Sequence, residues 1–280
     1  MSILIADSGA TKCEWCFVDG GKKYTWFTQG MSPYFLTPRQ MEELIRKELL
    51  IQMKNKFPGE VHFYGTGNKN PENRKRTKKV LEAIFPGAKV TVDIDLLAAA
   101  RALCRHQPGI ACILGTGSNS CYYNGKKIVR NIPGLGYVLG DEGSGAYLGK
   151  KVIQHYLYEI FEKDLKEKFE ETYKTNDSEI LEHVYHQPLP NRYLAGFARF
   201  LGDNRGHYMI ENIIEDGLND FFYVHIGGYR ESRKYPVHFN GGVAYHFRDV
   251  VLDLCGCYGL QPGRILKNPM EGLVEYYRGA

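Results

Sequence analysis

The sequence lacks any run of about 18 apolar residues, which is the length that a helix needs to cross a bilayer. It also lacks a basic start followed by an apolar stretch, because Asp7 and Lys12 interrupt its first apolar run. These absences predict a cytoplasmic protein with no membrane partner. The net charge of +4 is small, and the basic residues are interleaved with acidic ones, so we predict no nucleic-acid partner either.

Cysteines at the spacing of a metal site are also missing. The seven cysteines are odd in number, and most lie in apolar runs, as small core residues do. Cys13 and Cys16 have redox-motif spacing, but residues three apart on a strand point to opposite faces. Cys255 and Cys257 have no second pair at metal-ligand spacing. We therefore predict no redox or metal role for these pairs.

The composition is that of an ordinary globular protein. Hydrophobic residues make up 43% and charged residues 24% of the 280 residues, enough for one large or two ordinary domains. Apolar periodicity and turn residues up to Cys104 predict the order β-β-β-α-β-α-β-α. Such an order is typical of an α/β layer whose ligands bind where the strands end.

The first strand ends in a carboxylate and a turn of small residues. Asp7 closes the apolar run, Gly9 allows a sharp reversal, and Thr11 and Lys12 add a hydroxyl and a cation. A strand follows, and the spacing of a Walker loop is absent. This pattern predicts a hairpin whose turn binds a polyphosphate, with Asp7 close to its metal.

A similar pattern returns about a hundred residues later. An apolar strand ends at Leu114, and a turn of small residues, 115–119, precedes the next strand. The repeat predicts a duplicated α/β unit with two phosphate-type turns facing each other across a cleft. The five glycines from residue 134 to residue 145 are typical of a segment that lies against a ligand or a moving neighbour.

The second half is predicted to be mainly helical. Apolar spacing predicts a helix from Ala146 to about Leu165 and three helices between residues 177 and 225. A strand over 235–239 then leads through Gly241 into a helix that continues to Leu254, and a last helix begins at about Asn268.

Together these turns resemble the superfamily of sugar kinases, Hsp-type chaperones and actin. Within it, the chain is most similar to the N-acetylglucosamine kinase and BadF/BadG/BcrA/BcrD ATPase family, and the resemblance covers essentially the whole chain. The motifs that carry it are 7–12 (DSGATK), 115–119 (GTGSN), 140–144 (GDEGS), Gly241 with Gly242, and 269–273 (PMEGL).

The resemblance implies an α/β protein with a duplicated ribonuclease-H-like (actin-like ATPase) fold, in which two domains surround a nucleotide cleft. Residues 1–105 would form the N-terminal domain and 106–266 the C-terminal domain. The C-terminal helix, about 267–280, would pack back on the N-terminal domain. The resemblance leaves a homodimer open as the assembly.

The family motifs also imply the binding residues for ATP and Mg2+. Asp7 would hold the metal, through water. The glycines of the adenosine motif would leave room for the nucleoside, where a Cβ would collide with it. The nucleotide-binding residues would be Gly9, Ala10, Thr11, Lys12, Gly115, Thr116, Gly117, Gly241 and Gly242.

On the acceptor side, Asp95 matches the family's catalytic carboxylate and would accept the proton of the attacking sugar hydroxyl. Asp93, two residues earlier, is the competing candidate, but the alignment favours Asp95. The substrate-binding residues would be Ser118, Asn119 and Asp141, with Ser32 at a position where amino-sugar kinases of this type usually have Asn. We favour an ordinary loop for Gly65 to Gly67. A role of Thr66 in binding the sugar is the weaker alternative.

The chain is thus expected to phosphorylate a hydroxyl of an amino sugar, N-acetylglucosamine above all, at the expense of ATP. Glucosamine, N-acetylmuramic acid and glucose stay open as acceptors, and the phosphorylated hydroxyl stays open too. One alternative is an activator ATPase that drives a partner enzyme, for which Cys255 and Cys257 would have to serve an Fe–S cluster. The other is a sugar or nucleotide sensor without turnover, which the Ser32 departure favours.

Overall fold

The computed structural model describes residues 2–9, 12–54 and 56–279. It contains two compact units, an N-terminal unit (Met1–His106 with Pro269–Ala280) and a second unit (Gln107–Asn268). Across the described ranges, no helix combines the length and the apolar character that a membrane span requires.

Each unit is built on one five-stranded sheet. The strands of the N-terminal unit are β1 (Ile3–Ser8), β2 (Lys12–Asp19), β3 (Lys22–Gln29), β4 (Glu60–Gly65) and β5 (Lys89–Asp93). Those of the second unit are β6 (Pro108–Leu114), β7 (Ser118–Asn124), β8 (Ile128–Ile132), β9 (Val237–Asn240) and β10 (Pro262–Leu266).

The two sheets have the same topology. Their strand orders are β3-β2-β1-β4-β5 and β8-β7-β6-β9-β10. In each sheet the first three strands form an antiparallel meander, and the last two run parallel to the first strand. The duplicated ribonuclease-H-like fold expected from the sequence is therefore confirmed.

Thirteen helices, two of them single short turns, connect and cover the strands in the described residues. Ile45–Leu50, between α1 and α2, is a π-helical segment. The helices are α1 (Pro38–Leu44), α2 (Ile51–Met53), α3 (Pro71–Ile84), α4 (Asp95–Cys104), α5 (Gly136–Leu139), α6 (Gly145–Leu157), α7 (Lys163–Tyr173), α8 (Asp177–Tyr185), α9 (Pro190–Asp203), α10 (Tyr208–Val224), α11 (Gly242–His246), α12 (Arg248–Cys257) and α13 (Met270–Arg278).

Two of the helices expected from the sequence are wrong in extent. The helix predicted over 146–165 is two helices, because Glu159 adopts a left-handed conformation with φ of 55° and the Ile160 N–H donates to His155 O. The helix predicted through Leu254 is also divided, at Phe247, where α11 ends. Strand β10 was not predicted, since a segment that begins with Pro262 and Gly263 has the composition of a turn.

The helices of the N-terminal unit lie where local sequence signals place them. Thr37 caps α1 in a reciprocal pair with Gln40, the pattern of a capping box. The C-terminal helix α13 packs against α4, and Arg105 forms an ion pair with Glu275 at 2.6 Å. The Tyr64 hydroxyl also accepts a hydrogen bond from Arg101 at 2.6 Å, which ties α4 to strand β4.

In the second unit, α6 and α9 cross at very short range. A Cβ built at Gly149 would overlap the carbonyl oxygen of Leu194 and lie 3.3 Å from the Ala198 N. Only a residue without a side chain allows this crossing, which brings α9 onto the core side of α6. Phe197 and Leu201 of α9 are buried in the same core.

We predict that Gly149→Ala destabilises the protein by about 1–3 kcal/mol, because the added methyl must push two packed backbones apart. Thermal or urea unfolding measures the change. Gly196→Ala is the matched control within α9, because a Cβ at Gly196 meets no atom within 4 Å. It should leave stability unchanged or raise it by about 0.5–1 kcal/mol through helix propensity. Equal stability of the two variants would contradict the close crossing.

Candidate active site

Polar side chains line the carboxyl ends of the parallel strands in the N-terminal unit. Asp7 on β1 is the register partner of Tyr64 on β4, and Tyr64 is the partner of Asp93 on β5. Residues in register on adjacent strands project from the same face of a sheet. Asp7 and Asp93 are therefore on one face, at the edge where ligands bind in sheets of this kind.

Asp7 is partly buried and carries an uncompensated charge. Burial, together with the negative charges of Asp95 and Glu14, raises the pKa of its carboxyl to about 7. No basic residue is among the groups that influence this pKa. A carboxylate in this setting fits a divalent cation, which would supply the missing positive charge.

Asp95 and Asp93 differ in their surroundings. Asp93 lies 3.6 Å from Arg74, and the positive charges of Arg74 and Arg101 partly offset the increase in its pKa that burial causes. Asp95 begins α4 and accepts the N–H of Leu96 at 2.8 Å. Burial raises the pKa of Asp95 as well, opposed only by backbone N–H groups and not by a cation. Of the two carboxylates, Asp95 is thus the one whose charge no cation offsets.

The first phosphate-type turn is only partly described, since Ala10 and Thr11 lie outside the described residues. The Gly9 N–H donates to Lys12 O at 3.0 Å, which closes the turn between β1 and β2. The Lys12 ammonium lies 3.8 Å from the centre of the Phe27 ring. To reach a phosphate it would leave this ring, at a cost of about 0.5–1 kcal/mol for an exposed cation–π contact.

Ser32 lies in a turn that is held against the end of β1. The Met31 N–H donates to the Ser8 hydroxyl at 2.8 Å, and the Ser32 carbonyl accepts the N–H groups of Phe35 and Leu36. The Ser32 side chain is buried, and its hydroxyl oxygen is 3.4 Å from the Tyr34 N. Its short side chain is therefore occupied mainly with its own turn.

One hydroxyl at the end of β4 has no protein partner. The Oγ1 atom of Thr66 is buried and makes no hydrogen bond among the described residues. Its backbone N–H donates to Ser8 O at 3.1 Å, which fixes the segment beside β1. An unpaired hydroxyl is costly unless a ligand or water satisfies it. The unpaired hydroxyl supports the alternative in which Thr66 binds the sugar.

The second phosphate-type turn, 115–117, is held by the start of α6. The Gly115 N–H donates to Gly117 O at 3.0 Å, and the N–H groups of Gly145 and Ala146 donate to the carbonyls of Gly115 and Thr116. Thr116 is exposed at the tip. Helix α6 therefore holds the turn rigidly by its backbone.

Asp141 is fixed against the segment that follows this turn. Its carboxylate accepts the N–H of Gly136 at 3.2 Å and the N–H of Ser118, and these bonds partly offset the burial that raises its pKa. A Cβ at Gly117 would lie 2.8 Å from its Oδ2, and one at Gly134 would lie 2.7 Å from its Oδ1. Gly117 and Gly134 thus leave room for the Asp141 carboxylate, and Gly134 also lies against the Ser118 carbonyl. The Ser118 hydroxyl nearby is buried and without a partner in the described chain.

Behind Asp141 lies a buried chain of hydrogen bonds. Glu142 is 3.4 Å from Nε2 of His225, and Nδ1 of that ring is 3.1 Å from the Ser120 hydroxyl. Ser120 also contacts the Tyr229 hydroxyl at 2.9 Å. His225 and Ser120 are fully buried, so this chain holds the 140–144 segment to β7 and is not open to substrate. The 140–144 motif indicated Glu142, but nothing local in the sequence indicated its partners.

Gly241 is also required by the protein's own backbone. Its φ is 125°, and a Cβ there would overlap the carbonyl oxygen of Leu114, so the protein's own backbone requires glycine. Gly242 has open space instead, with no atom within 4 Å of a built Cβ. Asn240, just before them, is buried and its Oδ1 has no partner among the described residues. The sequence could have indicated Asn240 by the same signal as Asp7, which is a polar residue at the end of an apolar strand.

A cavity of about 420 Å³ opens beside Gly242. This volume is within the range of pockets that hold small ligands. Apolar groups of α9 and α11 form its walls, and charged groups stand at its rim; the lining residues are Ala198, Arg199, Gly202, Asp203, Arg205, Gly242, Val243, His246 and Phe247.

Potential metal ligands that cluster elsewhere are weaker candidates for a metal site than Asp7. Over the described ranges, one group of three potential ligands occurs, namely Glu162, Asp164 and His207. The Met209 N–H donates to Nδ1 of His207, so the proton of the neutral ring is on Nε2, the atom that faces both carboxylates. This arrangement serves as a hydrogen-bonded helix cap. Of the two cysteines in the second half that could serve a cluster, Cys255 is buried and Cys257 is exposed.

The structure therefore brings together the expected residues in two groups. Asp7 and Asp95 interact in the N-terminal unit, and the turn at Gly9 and Lys12 closes beside Asp7. In the second unit, Asp141 lies against the segment of Gly117 and Ser118, and Gly241 contacts Leu114 and Gly115 beside the same turn.

No protein-family model and no curated protein matches the chain. Solved structures do. A candidate N-acetylglucosamine kinase from Porphyromonas gingivalis is 38% identical, with a TM-score of 0.94 and 99% of each chain covered. A candidate N-acetylglucosamine kinase from Chromobacterium violaceum is 17% identical, with a TM-score of 0.70 over 89% of this chain and 90% of the other.

A candidate N-acetylmannosamine kinase from Listeria monocytogenes shares the fold at 14% identity and a TM-score of 0.52, over 100% of this chain and 99% of the other. The two more distant structures establish the fold alone. The P. gingivalis protein, by contrast, is similar over nearly the full length of both chains. On that similarity the chain belongs to the N-acetylglucosamine kinase family of sugar kinases.

Proposed function

We propose that the protein transfers the γ-phosphate of ATP to a hydroxyl of N-acetylglucosamine, with Asp95 as the general base. The observation that carries this proposal is the contrast between the two neighbouring carboxylates. Asp93 is paired with Arg74, whereas the pKa of Asp95 is raised without a compensating cation. A base that accepts a hydroxyl proton needs such a raised pKa.

Mg2+ fits the surroundings of Asp7. Its oxygen donors, its partial burial and the nearby charge of Asp95 match what a hard divalent cation requires. When bound, the ion would offset the charge of the phosphates. Asp7 would hold it, directly or through water, and Asp95 would stay free to accept the proton.

The nucleotide would be held by the two turns and by the cavity beside Gly242. Backbone N–H groups around Gly9 and around Gly115 to Gly117 would bind phosphate oxygens, with Lys12 as a mobile cation. The apolar walls formed by Val243 and Phe247 suit a nucleobase. ATP is the cofactor expected for this family.

The acceptor would be bound through complementary polar groups. The Asp141 carboxylate accepts hydrogen bonds from sugar hydroxyls, and the amide of Asn119 and the hydroxyl of Ser118 add further partners. The choice of N-acetylglucosamine rests on the P. gingivalis relative, which is a candidate kinase for that sugar. Ser32 would contribute less than the usual Asn, because its hydroxyl is buried in its own turn.

We predict that Asp95→Asn lowers kcat by about 10²- to 10⁴-fold, the usual contribution of a general base, while ATP affinity is retained. ADP release with Mg2+ and a panel of N-acetylglucosamine, glucosamine, N-acetylmuramic acid and glucose measures it. Strong stimulation by N-acetylglucosamine in the parent protein establishes the substrate.

Asp93→Asn is the matched control for Asp95, because it makes the same change two residues away in a carboxylate that is already paired. Its kcat should fall far less. If Asp93→Asn abolishes turnover and Asp95→Asn does not, the base is misassigned. If no sugar stimulates ADP release, the kinase proposal fails, and the activator or sensor alternatives replace it.

We predict that Gly242→Leu weakens ATP binding by about tenfold or more, because its side chain would enter the cavity and displace the base. Gly256→Leu is the control, on an exposed face where a Cβ has no neighbour within 4 Å. Titration with a fluorescent ATP analogue compares the two. Unchanged affinity in Gly242→Leu would remove the cavity from the nucleotide site.

We predict that Asp7→Asn stabilises the metal-free protein at about pH 8 but not at about pH 4. The pKa of Asp7 is raised from 3.8 to about 7, so the folded state is penalised as pH rises between these values. The melting temperature, followed against pH, should rise by roughly a few degrees in the variant.

Asp19→Asn, at an exposed position, should show no such pH dependence and serves as the control. Added Mg2+ should stabilise the parent protein and not Asp7→Asn. A parent and a variant that respond equally to Mg2+ would contradict the assignment of Asp7 as the metal ligand.

A further inference from the structure

Two asparagine amides meet at the edge of the second sheet. Asn119 lies on β7 and Asn131 on the neighbouring strand β8, where Asn131 is the register partner of Cys121. The two asparagines are thus diagonal neighbours on one face. Nδ2 of Asn131 is 2.8 Å from Oδ1 of Asn119 and 2.7 Å from the carbonyl oxygen of Ser120.

The backbone of Ser120 determines which amide atom is oxygen and which is nitrogen. The orientation of an Asn amide is normally assigned from its hydrogen-bond partners. Here the Ser120 N–H, which can only donate, lies 2.9 Å from Oδ1 of Asn119, so that atom is the oxygen. The Ser120 carbonyl can only accept, so the Asn131 atom beside it is the nitrogen. Both orientations follow from fixed main-chain groups.

The oxygen of Asn119 is therefore already used twice. It accepts one hydrogen bond from the Ser120 N–H and one from Asn131. An amide oxygen has two acceptor sites, so it has none left for a ligand. What Asn119 can offer is its NH2 group, with two donors.

We infer that Asn131 is a positioning residue that makes Asn119 a hydrogen-bond donor to the acceptor sugar. The inference rests on the proposed function, in which Asn119 binds that sugar. The group of the substrate that Asn119 contacts is then an oxygen with a free lone pair, a hydroxyl or the carbonyl of an N-acyl group. An N–H group of the substrate would find no acceptor at Asn119.

The neighbouring Asp141 has the opposite character. Its carboxylate is oriented by the N–H groups of Ser118 and Gly136 and can only accept from a ligand when ionised. The site thus presents a donor at Asn119 and an acceptor at Asp141. Sugar hydroxyls both donate and accept, so a polyol satisfies such a pair without leaving either group unpaired.

The decisive variant is Asn131→Asp. A carboxylate at this position would face the Ser120 carbonyl and the Asn119 oxygen, so repulsion would push the Asn119 side chain out of the position in which its NH2 group is presented to the sugar. We expect the KM for N-acetylglucosamine to rise by about tenfold, the usual effect of one lost hydrogen bond. The kcat and the KM for ATP should stay close to the parent values, since the contact is made equally in the ground and transition states.

Asn124→Asp is the matched control. It lies at the other end of β7 and makes the same change in charge, and its side-chain oxygen still accepts the N–H groups of Lys126 and Lys127. Its sugar KM should equal that of the parent protein. Melting temperatures of both variants establish that each one is folded.

A double-mutant cycle tests whether Asn131 acts through Asn119. Asn119→Ala, Asn131→Ala and the double variant are compared by their sugar KM. If Asn131 only orients Asn119, the double variant matches Asn119→Ala alone. Additive effects would overturn the inference, and so would an unchanged KM in both Asn131 variants while Asn119→Ala raises it.

Failure of the proposed function gives a different result. If Asn119→Ala itself leaves the sugar KM unchanged while sugar-stimulated ADP release persists, then Asn119 does not bind the sugar, and the inference falls with that assignment. If the Asn131 substitutions unfold the protein, Asn119→Asp replaces them. It keeps an oxygen for Ser120 and Asn131 but removes the donors, so the inference requires its sugar KM to rise about tenfold as well.

Discussion

The mutual repulsion of Asp7 and Asp95 at one sheet edge is the constraint on which the candidate site depends. Both carboxylates are partly buried, and burial disfavours the ionisation of each one. The charge of Asp95 further disfavours the ionisation of Asp7. Folding tolerates this arrangement because the cores below and beside it, in the N-terminal unit, are fully packed around residues such as Trp15 and Phe63. The same uncompensated charge makes one carboxylate suited to a cation and the other to a proton, so stability is given up where the chemistry requires it.

In the second unit, by contrast, backbone groups orient the polar side chains of the candidate site. Asp141 is held by main-chain N–H groups, and the Asn119 amide is held by Ser120 and Asn131. Side chains fixed in this way lose little entropy on binding a ligand. Gly117 and Gly134 matter because a Cβ at either position would overlap the Asp141 carboxylate.

The sequence predicted those features that depend on local signals. Adjacent residues are enough to indicate the capping residue Thr37, the carboxylate Asp7 at a strand end and the repeated hairpin. The repeat of that hairpin in turn indicates the duplicated fold. The break after α6 was not predictable, because Glu159 takes a left-handed conformation that usually indicates glycine. Strand β10 begins at Pro262, a residue typical of turns. Asn131 could not be identified at all, since its role depends on the register between β7 and β8, which no single sequence specifies.

The placement of α13 has a consequence for synthesis of the chain. This helix belongs to the N-terminal unit although it is made last, so the second unit, Gln107–Asn268, is an uninterrupted insertion within the first. A ribosome therefore releases all of the second unit before the first can be completed. During that interval the face of α4 that α13 covers is exposed to water. The core of the N-terminal unit is then incomplete, whereas the second unit can already fold. The N-terminal unit can therefore be completed only after all of the second unit has been made.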